Sequence, residues 1–152
     1  DHRTIEIKRS PMKKDKVVEY LNKILEHELA GVVCYTHYAL MIYGYNRIPI
    51  CAWFREQAKE SLIHADAVGE QITALGEHPS LKIGKLLEGN THKINDILKE
   101  SLEYEKQAAK LYHDLLALVK DESVMLEEFA REKIYEEELH LSEVEKMLKE
   151  PK

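Results

Sequence analysis

Five residues of this chain combine metal-binding side chains with a regular spacing: Glu28, His64, Glu105, Glu137 and His140. Carboxylate oxygens and imidazole nitrogens are ligands that suit divalent ions of the iron and manganese class. His140 follows Glu137 by three residues, so on a helix both side chains leave from one face, as a chelating pair must. The other three lie far apart in the chain and need a fold to gather them. Two spacings point to a doubled arrangement. Glu28 precedes Tyr35 by seven residues and Glu105 precedes Tyr112 by seven, while Glu28 to His64 spans 36 residues and Glu105 to His140 spans 35. Seven residues are two helical turns, so each phenol shares a face with its carboxylate and can hydrogen-bond a ligand on a facing helix.

The elements that must position these groups are long helices. Turn residues cluster at Gly44 to Pro49, at Gly76 to Gly89 and near Lys120 to Ser123, where Asp121 and Ser123 are candidate N-caps. The spacing predicts four helices, over about 13–44, 49–75, 91–120 and 123–149, and no segment alternates with period two. Each helix has an inward stripe with steps of three and four. The first stripe is Val17, Leu21, Ile24, Glu28, Gly31, Tyr35, Tyr38, Ile42; the second runs from Ile50 through Ser61 and His64 to Gln71 and Leu75. The third runs from Ile94 through Glu105 and Tyr112 to Val119, and the fourth from Leu126 through Glu137 and His140 to Met147, with Lys133 fitting poorly. Such stripes belong to a left-handed bundle. Short connections make two antiparallel hairpins, and the stretch from Gly76 to Asn90 could extend ~50 Å, enough to cross the bundle lengthwise. All five candidate ligands fall on these stripes near mid-helix. Burying their charges costs several kcal/mol each unless something compensates, and a pair of divalent ions would compensate all of them together.

Composition bounds the alternatives. The chain has 152 residues, the size of one domain, with residues about 1–12 read as an N-terminal extension to a single domain over 1–152. Six Gly and four Pro are too few for a turn-rich sandwich or barrel, so the expected class is all-α. The net charge of −6 and the dispersed basic residues give no nucleic-acid-binding stripe, and no nucleic-acid partner is expected. No apolar run reaches membrane length and the start lacks a secretory core, so no membrane partner is expected and the cytosol is the expected compartment. Cys34 and Cys51 form no Cys-x-x-Cys pair and are read as packing residues, as are Met41 and Met125. His2, His27, His37, His78, His92 and His113 are read as surface or supporting groups, and the acidic run around Glu136 and Glu138 as a solvated face.

The segments LNKILEHELAGVVCYTHYAL, HADAVGEQITALGEHPSL, SLEYEKQAAKLY and EEELH together resemble the ferritin-like diiron-carboxylate superfamily, bacterioferritins most of all, over about residues 15–148. The resemblance implies a ferritin-like four-helix bundle with one long crossover. It implies Glu28 and Glu105 as terminal carboxylates, Glu137 as a bridge between two metals, and His64 and His140 as nitrogen ligands, with Tyr35 and Tyr112 supporting them. Three features depart from the family. Ser61 stands where a bridging Glu is found, three residues before His64, with Glu60 beside it. Leu62 stands where the haem-ligating Met is found, so haem is not expected. Only twelve residues follow His140, so the family's fifth helix is not expected, which favours a twelve-subunit shell over twenty-four.

The activity so implied is oxidation of Fe(II) by O2 or H2O2 at a dinuclear iron site, with storage of Fe(III) mineral in a homo-oligomeric shell. The alternatives are a rubrerythrin-like peroxide-reducing protein and a shell subunit with a degenerate site. Against the first, Ala108 stands where a further carboxylate would follow Glu105, and paired Cys-x-x-Cys motifs are missing; Ser61 favours the second. Charge counting sharpens the Ser61 question. Glu28, Glu105 and Glu137 bring −3 against +4 from two divalent ions. Glu60 lies about 40° from His64 around the helix and could swing toward the metals, while Ser61, about 60° to the other side, offers only a weak, neutral hydroxyl that cannot bridge. The expectation is an asymmetric site, tighter at Glu105, Glu137 and His140 than at Glu28 and His64.

Overall fold

A computed structural model describes residues 13–152; the expected N-terminal extension, 1–12, and His2 lie outside the described residues. Four helices form: α1 Lys14–Met41, α2 Arg47–Ala74, α3 Ile94–Val119 and α4 Val124–Leu148. There is no strand among the described residues, and the architecture is the expected all-α four-helix bundle. In it α1 packs on α2, α3 on α4, and the two hairpins meet through α1 and α3.

The helix ends differ from expectation by a few residues, for local reasons. Helix α2 starts at Arg47, ahead of Pro49, because the Arg47 guanidinium reaches back to the last carbonyls of α1, at 3.0 Å from Ala39 and 2.9 Å from Ile42. Pro49 then falls in the first turn, where a missing N–H costs nothing. Helix α3 starts at Ile94 and not at residue 91, because the Lys93 N–H is taken by the Thr91 hydroxyl and the His92 carbonyl accepts from Tyr43 N–H. Ser123 caps α4 by accepting from Leu126 N–H at 3.3 Å, whereas Asp121 takes a left-handed turn, φ 63°.

The crossover, from Leu75 to Lys93, lies along α1. Ser80 N–H donates to Asn22 Oδ1 at 2.8 Å, Gly84 N–H to the Glu26 carbonyl at 2.7 Å, and His92 Nδ1 lies 2.8 Å from the Met41 carbonyl. A side chain at Gly84 would place its Cβ 3.2 Å from that Glu26 oxygen, so glycine permits the approach.

The stripes are inward almost throughout, including every predicted position of α1. The exceptions are the stripe termini Ile50, Ile94 and Met147, which are half-buried, and the end of α2. There Ile72 is fully buried and Gln71 and Leu75 only partly, because a 3.6-residue helix drifts off a strict heptad. Lys133 is buried despite its charge. Two apolar clusters fill the ends of the bundle. One gathers Leu21, Ile24, Val68, Tyr112, Leu115 and Leu126; the other gathers Tyr38, Ile42, Phe54, Ile97, Leu98 and Val144. Between them lies a polar layer.

Candidate metal centre

The polar layer holds the five predicted ligands, one each from α1, α2 and α3 and two from α4. Glu28, His64, Glu105 and Glu137 are all buried, and His140 is nearly so. The apolar residues along the rest of each stripe enforce this placement, since rotating any helix to release its Glu or His would expose them.

The five side chains form two groups. Glu28, His64 and Glu137 each offer an atom such that all three lie within 4.8 Å of one another, and Glu105, Glu137 and His140 do the same. Glu137 belongs to both. Its Oε1 lies 3.6 Å from His64 Nδ1, and its Oε2 lies 4.0 Å from His140 Nδ1 and is buried with no hydrogen-bond partner. Tyr112 donates to Glu28 Oε1 at 3.1 Å and Tyr35 to Glu105 Oε1, each phenol serving the carboxylate of the other half. In both cases the second oxygen stays turned inward: Glu28 Oε2 is 3.6 Å from His64 Nδ1, and Glu105 Oε2 is 3.9 Å from His140 Nδ1. Each group therefore offers two carboxylates and one imidazole nitrogen. The expected weakness of the His64 half has no counterpart in this ligand count.

The outward ring nitrogens are held as well, and crosswise. His64 Nε2 lies 2.7 Å from Glu136 Oε2 of α4, and His140 Nε2 lies 2.7 Å from Glu60 Oε2 of α2. Glu60, expected as a replacement metal ligand, lines the same cavity but joins neither group, its carboxylate lying on Nε2 of His140. The reading of Glu136 as a solvated residue is corrected. A carboxylate on the second nitrogen fixes the ring and directs Nδ1 inward. Lys133 Nζ lies 3.4 Å from Glu136 Oε2, which explains a lysine on the stripe. The missed signal was a repeated Glu-x-x-x-His, Glu60 to His64 and Glu136 to His140. His27 and Tyr104 also line the site; they stack at 4.1 Å between centroids, with the Tyr104 hydroxyl donating to the His27 carbonyl.

Ser61 lines the site but belongs to neither ligand group. It packs toward α1, so close that a Cβ on Gly31 would stand 2.8 Å from its Oγ.

The electrostatics are those of a site built for cations. Burial pushes the Glu28 carboxyl above its ordinary value, and the nearby Glu105 charge adds to this against His64 and Tyr112. Glu105 is pushed well up, by burial and then by Glu137. Burial pulls His64 down, but Glu137 and Glu28 prevail and raise it to about 10. Burial, reinforced by the neighbouring carboxylates, drives the Tyr35 and Tyr112 phenols up, so they remain protonated donors. Without metal the site must retain protons; divalent ions can replace them and satisfy Glu137 Oε2. Hard oxygens with two imidazoles fit iron or manganese.

Comparison with known proteins yields the same architecture. The profile of the Ferritin family, described as a ferritin-like domain, matches residues 18–152. No curated protein matches the chain. Among solved structures it is similar to a ferritin-like, diiron-carboxylate protein from Bacillus anthracis str. Ames, with TM-score 0.86 and 20% identity over 92% of this chain and 100% of that one. It is also similar to a dodecameric thioferritin, the bacterioferritin-related protein of Bacteroides fragilis, with TM-score 0.82 and 20% identity over 90% and 86% of the two chains. At that identity the likeness shows the fold. No helix among the described residues is long and apolar enough to cross a membrane.

Proposed function

The chain belongs to the ferritin-like domain family, and from that premise we propose that it is a ferroxidase-type iron-storage protein. The observation that carries the reading is the shared carboxylate: two three-ligand groups joined through the two oxygens of Glu137. Fe(II) is the substrate. Each Fe(II) gives one electron to O2 or H2O2, and the Fe(III) passes to a mineral core inside a homo-oligomeric shell in the cytosol.

The residues divide the work. Glu28 and Glu105 are terminal ligands whose free Oε2 atoms face inward because Tyr112 and Tyr35 hold the Oε1 atoms. His64 and His140 present Nδ1, kept in place by Glu136 and Glu60 on Nε2. Glu137 bridges. The apolar clusters above and below exclude bulk water, which strengthens the attraction of the carboxylates for cations.

A shell of twelve subunits is favoured over twenty-four, as in the dodecameric protein this chain resembles. Native mass determination with metal analysis, on protein given Fe(II) in air, tests function and assembly together. A multi-subunit particle holding many irons per chain supports storage. A particle retaining two irons per chain without further uptake would point to a redox enzyme, and a monomer without iron would refute the proposal.

A further inference from the structure

The two hairpins meet through α1 and α3, and at the level of the polar layer their contact is reciprocal. His27 Nε2 lies 3.3 Å from the Tyr104 carbonyl, and since a carbonyl only accepts, the ring nitrogen donates. The Tyr104 hydroxyl in turn donates to the His27 carbonyl. Between these two bonds the rings stack, 4.1 Å apart and 13° from parallel. Tyr104 is buried against α1, where a Cβ on Gly31 would stand 3.4 Å from its Cε1. Each residue immediately precedes a terminal carboxylate, His27 before Glu28 and Tyr104 before Glu105. The pair therefore ties one hairpin to the other at the two turns that carry those carboxylates.

The two ligand groups depend differently on this tie. Glu105, Glu137 and His140 all come from the α3–α4 hairpin. Glu28 and His64 come from the α1–α2 hairpin and share a group with Glu137 only while the hairpins are in register. His64 Nδ1 is 3.6 Å from Glu28 Oε2 on its own hairpin and 3.6 Å from Glu137 Oε1 on the other. A small slide of one hairpin along the other would part Glu137 from Glu28 and His64, and would leave the second group whole. We propose that His27 and Tyr104 are positioning residues, which hold the hairpins in register so that the metal position built from both is complete. This rests on the dinuclear reading above. Neither side chain belongs to a ligand group; each acts through the backbone beside a ligand. Two hydrogen bonds of opposite sense resist sliding in both directions, and the stacked rings resist twisting.

Cobalt(II) reports on the two positions without turnover. The metal-free protein is titrated with Co(II) against a chelating dye. The paramagnetically shifted ring N–H resonances of His64 and His140, assigned with His64→Ala and His140→Ala, show which position fills. The parent should bind two Co(II) per chain. Tyr104→Phe removes one oxygen and keeps the stack, and His27→Leu removes the opposite donor. Each should weaken Co(II) at the His64 position by about tenfold or more and leave the His140 position unchanged. His27→Gln keeps an N–H donor and should bind Co(II) nearly as the parent does. Helicity and melting are recorded for every variant, and Tyr104→Phe carries the test if His27→Leu fails to fold. Unchanged affinity at the His64 position would overturn the inference. So would weakening of both positions alike, in step with lost stability, which is what a merely structural contact gives. A His27→Gln protein as weak as His27→Leu would refute the part given to the donated bond. Fewer than two Co(II) in the parent would refute the dinuclear reading and the inference with it.

Discussion

Glu137 joins the two ligand groups because its two oxygens face different histidines, at 3.6 Å and 4.0 Å. Glu137→Ala removes the bridge and one buried charge, so rapid Fe(II) oxidation in air, followed by Fe(III) absorbance, should be lost. The metal-free variant should melt at or above the parent temperature, because Glu105 is relieved of its nearest repelling carboxylate. Oxidation at the parent rate would show that the reaction occurs elsewhere. Glu136 acts one step further out. Glu136→Gln keeps the shape but weakens the hold on His64 Nε2 and removes the charge 3.4 Å from Lys133 Nζ. Affinity for Zn(II), measured by competition with a chelating dye, should fall by roughly 10–100-fold. An unchanged affinity would mean that the His64 ring is held by packing alone.

Whole elements place these side chains, and the crossover is the least conventional of them. Without regular structure of its own, it is tied to α1 through backbone contacts, the closest at Gly84. Gly84→Val would force a branched side chain against the Glu26 carbonyl, in the turn of α1 that carries Glu28. A loss of about 1–3 kcal/mol is expected, with faster hydrogen exchange at residue 84 and along α1 near Glu26. Slow exchange there in the variant would show that the contact is dispensable. Ser123→Ala removes the one side-chain cap found at a helix start among the described residues and should cost about 1 kcal/mol in denaturant unfolding.

At the scale of the whole molecule, the centre sets how stability responds to pH and metal. His64 is raised from 6.5 to about 10, so its stabilising proton is fully in place below pH 6.5 and is lost as the pH climbs through 10. Glu28 and Glu105 are also raised, so they too stabilise the metal-free fold while protonated and cease to do so as they ionise. The melting temperature of the metal-free protein should therefore fall as pH rises from about 6 toward 10. Saturating Zn(II) should reverse the trend, since metal replaces the protons. A metal-free protein that gained stability over this range would contradict the charge state assigned to the centre. In assembly, light scattering should report a closed particle, and a monomer or open dimer at all concentrations would sink storage.

How much of this was written in the chain depends on how local the information is. Helical periodicity is a property of neighbouring residues, so the four helices, the hairpins and the crossover were readable within a few residues. The candidate ligands were readable for a related reason: Glu28, His64, Glu105, Glu137 and His140 interrupt apolar stripes, and a charge on an inward stripe demands a partner. Residues beside the stripe carry no such mark. Glu60 and Glu136 stand one position outside it, and whether such a side chain reaches solvent, a metal or a histidine on another helix depends on how the helices are rotated and spaced. Only the packed bundle sets that geometry, turning Glu60 to His140, Glu136 to His64 and Lys133 to Glu136. The same holds for Ile72 replacing Gln71 on the inward face, since drift from a strict heptad accumulates along the helix until packing resolves it. The chain's periodicity thus chose the elements and the inward charges, while tertiary packing decided which carboxylates face the centre of the polar layer and which hold the histidine rings around it.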